Sequence, residues 1–97
     1  MKKLSLVKDR LLNLRDVVKS KYKADIVGIF GSVSRGEETE DSDVDVLVKF
    51  HERATLFDMV GLSLFLEENL GMRVDVVPYD AVREELKEEI FREVVKL

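Results

Sequence analysis

The stretch GSVSRGEETEDSDVD, Gly31 to Asp45, decides the fold. An apolar run, Ile26 to Phe30, leads into Gly31-Ser32; after ten further residues Asp43 and Asp45 open a second apolar run, Val44 to Phe50. Short β-branched runs bounded by polar turn residues read as strands. Successive strand side chains alternate faces, so Asp43 and Asp45 point the same way, with Cα atoms about 6.5–7 Å apart. Val44, Val46 and Val48 then face a core on the other side, which seats the carboxylates on a stiff element. Carboxylates so placed suit magnesium, and a two-ion site needs metals about 3.5–4 Å apart, which bridging carboxylates on one strand face can provide.

Ahead of this metal grip lies a phosphate grip. Gly31 ends its strand and lets the main chain turn tightly and approach a ligand, while Ser32 is expected to cap a short helix whose free N–H groups face outward. Arg35, one turn on, either adds positive charge to the grip or pairs on the surface with Glu37 or Glu38. The remainder of EETEDS, residues 37–42, reads as a solvated acidic turn, with Asp41 and Ser42 near enough to tune the site. Two other motifs are excluded. Gly31 and Gly36 have P-loop spacing, but Glu37 stands where the phosphate-binding lysine belongs. Asp41, Asp43, Asp45 and Glu52 match positions of a calcium loop, yet Val46 occupies its obligatory glycine.

Outward from this core, residues 3–22 predict a helix with an apolar stripe of Leu4, Val7, Leu11, Leu14, Val18 and Tyr22, widened by Leu12 and Val17. The stripe reads as core packing, although such a helix could also dock a partner. Gly28, inside the first strand, implies close approach by a packed helix or by a ligand. His51, the single histidine, falls at a strand end among charged residues and reads as a surface position. Thr55 with Asp58 forms a capping box that starts a helix running to Leu70, closed by Gly71. That helix is apolar almost all round. The surplus implies a second buried contact with another element or another chain, a homo-oligomer being one option.

A third strand, Met72 to Val77, ends at Pro78. A crossover helix between the second and third strands makes them parallel, which brings Asp75 beside Asp45 as a third carboxylate. Delivering Gly31-Ser32 to the start of the second strand makes the first two antiparallel. The expected fold is therefore α/β (α+β), a small mixed three-stranded sheet flanked by helices. A last helix from Asp80, its N-cap, to Leu97 should cover the sheet with Val82, Leu86, Ile90, Phe91, Val94 and Leu97, leaving Glu84, Glu85, Glu88 and Glu93 among its water-facing residues.

Composition bounds the function. Ninety-seven residues suit one domain, 1–97. A net charge of −4 without a basic stripe argues against nucleic acid. No cysteine, membrane-length apolar run or signal peptide is present, so a cytoplasmic location is the default.

Gly31-Ser32, ten residues, then Asp43-Val44-Asp45 resembles the signature of the polymerase-β-type nucleotidyltransferase superfamily. The fuller GSVSRG with DSDVDVLV resembles its minimal nucleotidyltransferases, the short antitoxins of HEPN/MNT toxin–antitoxin modules. The resemblance spans about residues 24 to 80, and the superfamily also carries a third acidic residue on a later strand, matching Asp75. It implies catalytic and metal-holding roles for Asp43, Asp45 and Asp75, with Gly31, Ser32 and Arg35 on the nucleotide phosphates. Two Mg2+ ions and ATP are the implied cofactor and donor; a tyrosine hydroxyl of a HEPN-type toxin is the implied acceptor of AMP. Larger relatives hold small-molecule or RNA acceptors with an additional domain, for which this chain has little left over, so a protein acceptor fits best. Two alternatives stand beside transfer: a module that neutralises its partner by occlusion without chemistry, and a nucleotide sensor that binds ATP without transfer.

Overall fold

The structure, a computed structural model, describes residues 3–37, 39 and 41–97. Glu38 and Glu40 of the acidic turn lie outside these. The element order is α1 (Lys3–Tyr22), β1 (Ala24–Phe30), α2 (Ser32–Arg35), β2 (Val44–Phe50), α3 (Leu56–Leu70), β3 (Val74–Pro78), a 3-10 turn (Tyr79–Ala81), α4 (Glu84–Glu93) and β4 (Val95–Lys96). The sheet order is β3-β2-β1-β4. β1 and β2 are antiparallel, β2 and β3 parallel, as the chain connections require.

One face of the sheet is core. Val44, Val46 and Val48 of β2 and Val74 and Val76 of β3 pack with Ile26 and Ile29 of β1 under the helices. The α1 stripe lies against them: Val7, Leu11 and Val18 are buried, and Leu4, Leu14 and Tyr22 pack at its margin, whereas Leu12 and Val17 stay exposed. α3 contributes Leu62, Leu66 and Leu70 at the spacing of a single helical face. Its start is fixed by the Thr55 N–H donating to Asp58 Oδ2 at 2.9 Å. The same carboxylate accepts from Lys23 Nζ at 3.2 Å, and these partners, the Thr55 N–H foremost, hold the Asp58 carboxyl below the usual range. Gly71 closes the helix in the left-handed region at φ 67°, its N–H returning to Glu67 O.

Leu66 is wholly buried while Leu64, two residues away, is 62% exposed. Leu66→Ala should therefore lower unfolding free energy by about 2–5 kcal/mol, whereas Leu64→Ala should change it by less than about 0.5 kcal/mol. Thermal unfolding checks the pair; equal shifts would contradict the assigned inner face. The remaining apolar surplus of α3 is uncovered among the described residues, with Leu56 76% and Phe57 88% exposed beside Val60 and Leu64.

The C-terminal segment differs from expectation. Asp80 does not cap a long helix: it belongs to the 3-10 turn, and α4 begins only after Arg83. Glu84 and Glu85 then sit in the first turn, where acidic side chains suit the helix dipole. α4 ends at Glu93 because Val94-Val95 is a β-branched pair that favours extended backbone, and an open sheet edge is within reach. Val95 and Lys96 pair with Ile29 and Gly28, adding a fourth strand to the expected three. α4 therefore does not cover the sheet: none of its residues is buried. It is held instead by Phe91, whose ring stacks on Tyr79 at 5.3 Å between centroids.

β4 also accounts for Gly28. A Cβ there would stand 2.3 Å from the Val95 carbonyl oxygen and 2.9 Å from Val94 Cγ2. Neither a helix nor a ligand but a neighbouring strand makes the close approach.

Candidate active site

Register assembles the site. Phe30 pairs with Asp45 across β1 and β2, and Asp45 pairs with Asp75 across β2 and β3. The turn at Gly31 and two of the three carboxylates are thus brought to one end of the sheet by backbone pairing alone. Asp43 lies just ahead of β2, where Val44 N donates to Arg73 O at 3.0 Å.

Gly31 and Asp45 are closer than the sequence suggests. Gly31 has φ 78° and ψ −158°, a conformation that side chains other than glycine's avoid. A Cβ on it would stand 2.0 Å from Asp45 Oδ2. The close approach that requires glycine here is made by the chain's own carboxylate. Ser32 is not the cap: Gly31 occupies the N-cap position, Ser32 is the first helical residue, and no side chain caps α2. Gly31 lacks a side-chain oxygen, and its carbonyl is used instead by Ser34 Oγ at 2.7 Å and Arg35 N at 3.3 Å. Val33, fully buried, pins α2 to the core.

The charges are uneven. Burial, then Asp75, Asp43 and Glu93 in decreasing order, push the Asp45 carboxyl above its ordinary pKa, with Arg35 opposing. Asp43 is drawn sideways to Arg73 Nε at 3.0 Å, and Arg73 Nη2 also donates to the Asp41 carbonyl at 2.9 Å. Arg35 does pair with Glu37, at 2.6 Å, and its second guanidinium nitrogen meets Glu93. Both acids favour its charged form, the Glu37 hydrogen bond most.

The donor set fits a hard divalent cation: a half-buried carboxylate crowded by others carries excess negative charge, which oxygen-seeking magnesium would relieve. As the side chains lie, no three acidic or imidazole groups among the described residues converge on one point. The Asp43–Arg73 pair supplies a reason, since it holds one carboxylate aside.

Other candidates fall elsewhere. His51 Nε2 lies 3.0 Å from Asp25 Oδ2, at the strand ends remote from Gly31. An open concavity of about 460 Å³ between α1 and the start of β1 is lined by Arg15, Asp16, Lys19 and Asp25 and contains none of Asp43, Asp45 and Asp75. Sequence reasoning missed Glu93, which it assigned to a water-facing helix stripe. The β-branched pair directly after it was the available signal.

A glycine-serine turn and an Asp-x-Asp on consecutive strands, with a third carboxylate in register on a parallel neighbour, define the nucleotidyltransferase class. The sequence profile of the Nucleotidyltransferase domain family matches residues 11–97, and the chain belongs to that family. A Methanocaldococcus jannaschii protein that bears the provisional name protein adenylyltransferase is 40% identical over 83 residues, 86% of this chain and 85% of its own. Protein adenylyltransferase MntA of Thermococcus cleftensis is 45% identical over 69 residues, 71% of this chain and 70% of its own. A solved structure provisionally described as a minimal nucleotidyltransferase is 40% identical and has a TM-score of 0.82, covering 100% of this chain and 97% of that one. A toxin–antitoxin structure with AMP-PNP contains a chain of the same fold, 20% identical, with a TM-score of 0.75 over 92% of this chain and 70% of that one.

Proposed function

We propose that this chain, as a single domain, transfers AMP from ATP to a hydroxyl of a partner toxin and thereby acts as its antitoxin. The observation that carries this reading is the pairing of Phe30 with Asp45 and of Asp45 with Asp75, which puts the Gly31 turn and the carboxylates at one end of one sheet. The names of the relatives, protein adenylyltransferase, support the reaction type. The toxin–antitoxin neighbour with AMP-PNP supports a toxin partner and an adenine nucleotide. A HEPN-type toxin and its tyrosine are the acceptor that the sequence resemblance implies. No helix among the described residues is long and apolar enough to cross a membrane; with no cysteine in the chain, we place it in the cytoplasm.

Asp43, Asp45 and Asp75 would hold two magnesium ions, which when bound neutralise phosphate charge and lower the pKa of an attacking hydroxyl. The Gly31 N–H, the start of α2 at Ser32 and Arg35 orient the triphosphate. Asp75, exposed at the site, takes the hydroxyl proton. The hydroxyl oxygen bonds to the α-phosphorus, the α–β phosphoanhydride bond breaks, and pyrophosphate leaves, so the acceptor carries AMP in phosphodiester linkage. The exposed apolar face of α3 at Leu56, Phe57, Val60 and Leu64 offers the protein acceptor a docking surface.

That face would equally serve occlusion without chemistry, and one experiment separates the two. The co-purified partner is incubated with magnesium and ATP labelled at the α or the γ phosphate. Label on the partner from the α position only, absent with Asp43→Ala/Asp45→Ala, is the expected result. An unlabelled partner that stays bound and neutralised by the double variant would leave occlusion as the mechanism.

A further inference from the structure

The grip read as phosphate-binding already contains an anion. Glu93, the last residue of α4, accepts from the Gly31 N–H at 2.8 Å and from Arg35 Nη1 through the same oxygen, Oε1. Its side chain is only 21% exposed. A carboxylate at this point satisfies two of the groups assigned to the triphosphate, one a backbone donor and the other a guanidinium. The placement is not favourable in every respect, because Glu93 stands near enough to Asp45 to add to its like-charge burden.

The fold holds it there, and lightly. Two residues beyond Glu93, β4 pairs with β1 at only two positions, Ile29↔Val95 and Gly28↔Lys96. One further bond, Leu97 N to Val27 O at 3.4 Å, is long. α4 buries no residue of its own. Beyond the Phe91–Tyr79 stack and the packing of Leu97 on the core, the segment rests on a two-residue strand, which is admitted because Gly28 has no side chain to strike the Val95 carbonyl.

We propose that Glu93 is a built-in plug of the nucleotide site: its carboxylate takes the place of a phosphate on Gly31 and Arg35, and a triphosphate binds only by displacing it. The proposal rests on the reading of Gly31 and Arg35 as the phosphate grip. Glu93 stands two residues before β4, so undocking of β4 carries its carboxylate away from the grip, and nucleotide entry and release of the α4–β4 segment favour one another. An equilibrium between plugged and open forms raises the apparent dissociation constant by the inverse of the open fraction.

The test is calorimetric titration of magnesium-ATP into the whole chain, without partner so that no transfer occurs. Wild type, Glu93→Ala, Gly28→Ala and Arg35→Ala are compared, each first checked for folded circular dichroism. Glu93→Ala should tighten binding by roughly tenfold, the factor for a plugged form favoured about ten to one. Gly28→Ala should tighten it in the same direction although Glu93 is intact, because β4 cannot seat; if that variant fails to fold, Glu93→Ala decides alone. Unchanged or weaker binding by Glu93→Ala, with wild-type binding still dependent on magnesium and Arg35, overturns the plug and leaves the phosphate grip standing. Binding that does not depend on Arg35, or no binding in any form, overturns the grip and the plug together.

Discussion

Asp45→Asn should abolish nucleotidyl transfer, by about a thousandfold or more on the scale of lost electrostatic groups in active sites, and at the same time make the folded chain more stable. Both effects come from one observation. Burial and the neighbouring Asp75, Asp43 and Glu93 raise the Asp45 pKa in the folded chain above its unfolded value. Between those two pKa values the folded form binds a proton that the unfolded form releases, so stability falls as pH rises through that window. Above the folded pKa the carboxylate is ionised in both states and the full penalty remains. Asparagine carries no charge to desolvate or repel. In metal-free buffer at pH 7 the variant should melt a few degrees higher than wild type. The difference should shrink as pH falls through the folded pKa and vanish below the unfolded one, where Asp45 is protonated in both states. Added magnesium should raise the melting temperature of wild type more than that of the variant, because a ligand that binds only the folded form stabilises it. A variant that melts lower at pH 7 would show that Asp45 is a structural group and its environment favourable to charge.

What could be read from the sequence was what short-range periodicity and chain connection fix. Alternation placed Asp43 and Asp45 on one strand face and Val44, Val46 and Val48 on the other; the three valines are buried and Asp45 is less so, but Leu47 on the Asp45 face is buried too, and Asp43 lies ahead of the strand. A parallel crossover between β2 and β3 put Asp75 near Asp45, and the two pair directly in the sheet. What escaped were contacts between distant segments that leave no local pattern. Glu93 reaches Gly31 across 62 positions, and within its own window it belongs to an acidic helix face. Val95 and Lys96 are too few to show strand alternation, and the apolar Val94 and Leu97 fit the helical stripe as well as any residue before them. Gly28 signalled that something came close without saying what, because a missing side chain accommodates a helix, a ligand or a strand alike. Ser32 was given the cap on propensity, yet the backbone turned one residue earlier, at the glycine that the Asp45 carboxylate requires.

Gly31→Ala tests that requirement, and Gly36→Ala is its control. Both glycines have positive φ, 78° and 72°, so an added side chain strains either position by about 1–3 kcal/mol. Their surroundings differ. At Gly36 an added Cβ meets nothing within 4 Å, whereas at Gly31 it would lie 2.0 Å from Asp45 Oδ2 and 3.0 Å from its Cγ. Real contacts of that kind do not fall below about 3 Å, so in Gly31→Ala the Asp45 carboxylate must swing aside or the turn must open. Either movement displaces by about an ångström a group whose position matters to the reaction, a misplacement that can cost about a hundredfold in rate. Gly36→Ala should lose stability alone, melting lower but turning over ATP at close to the wild-type rate. Gly31→Ala should lose both, and on the proposed mechanism its transfer defect should persist at saturating ATP, since the damage would reach the Asp45 carboxylate as well as the turn assigned to phosphate. Rates measured well below each variant's melting temperature separate misplacement from unfolding. Equal turnover by the two variants would mean that the contact between Gly31 and Asp45 is incidental, and that the glycine serves only to turn the chain.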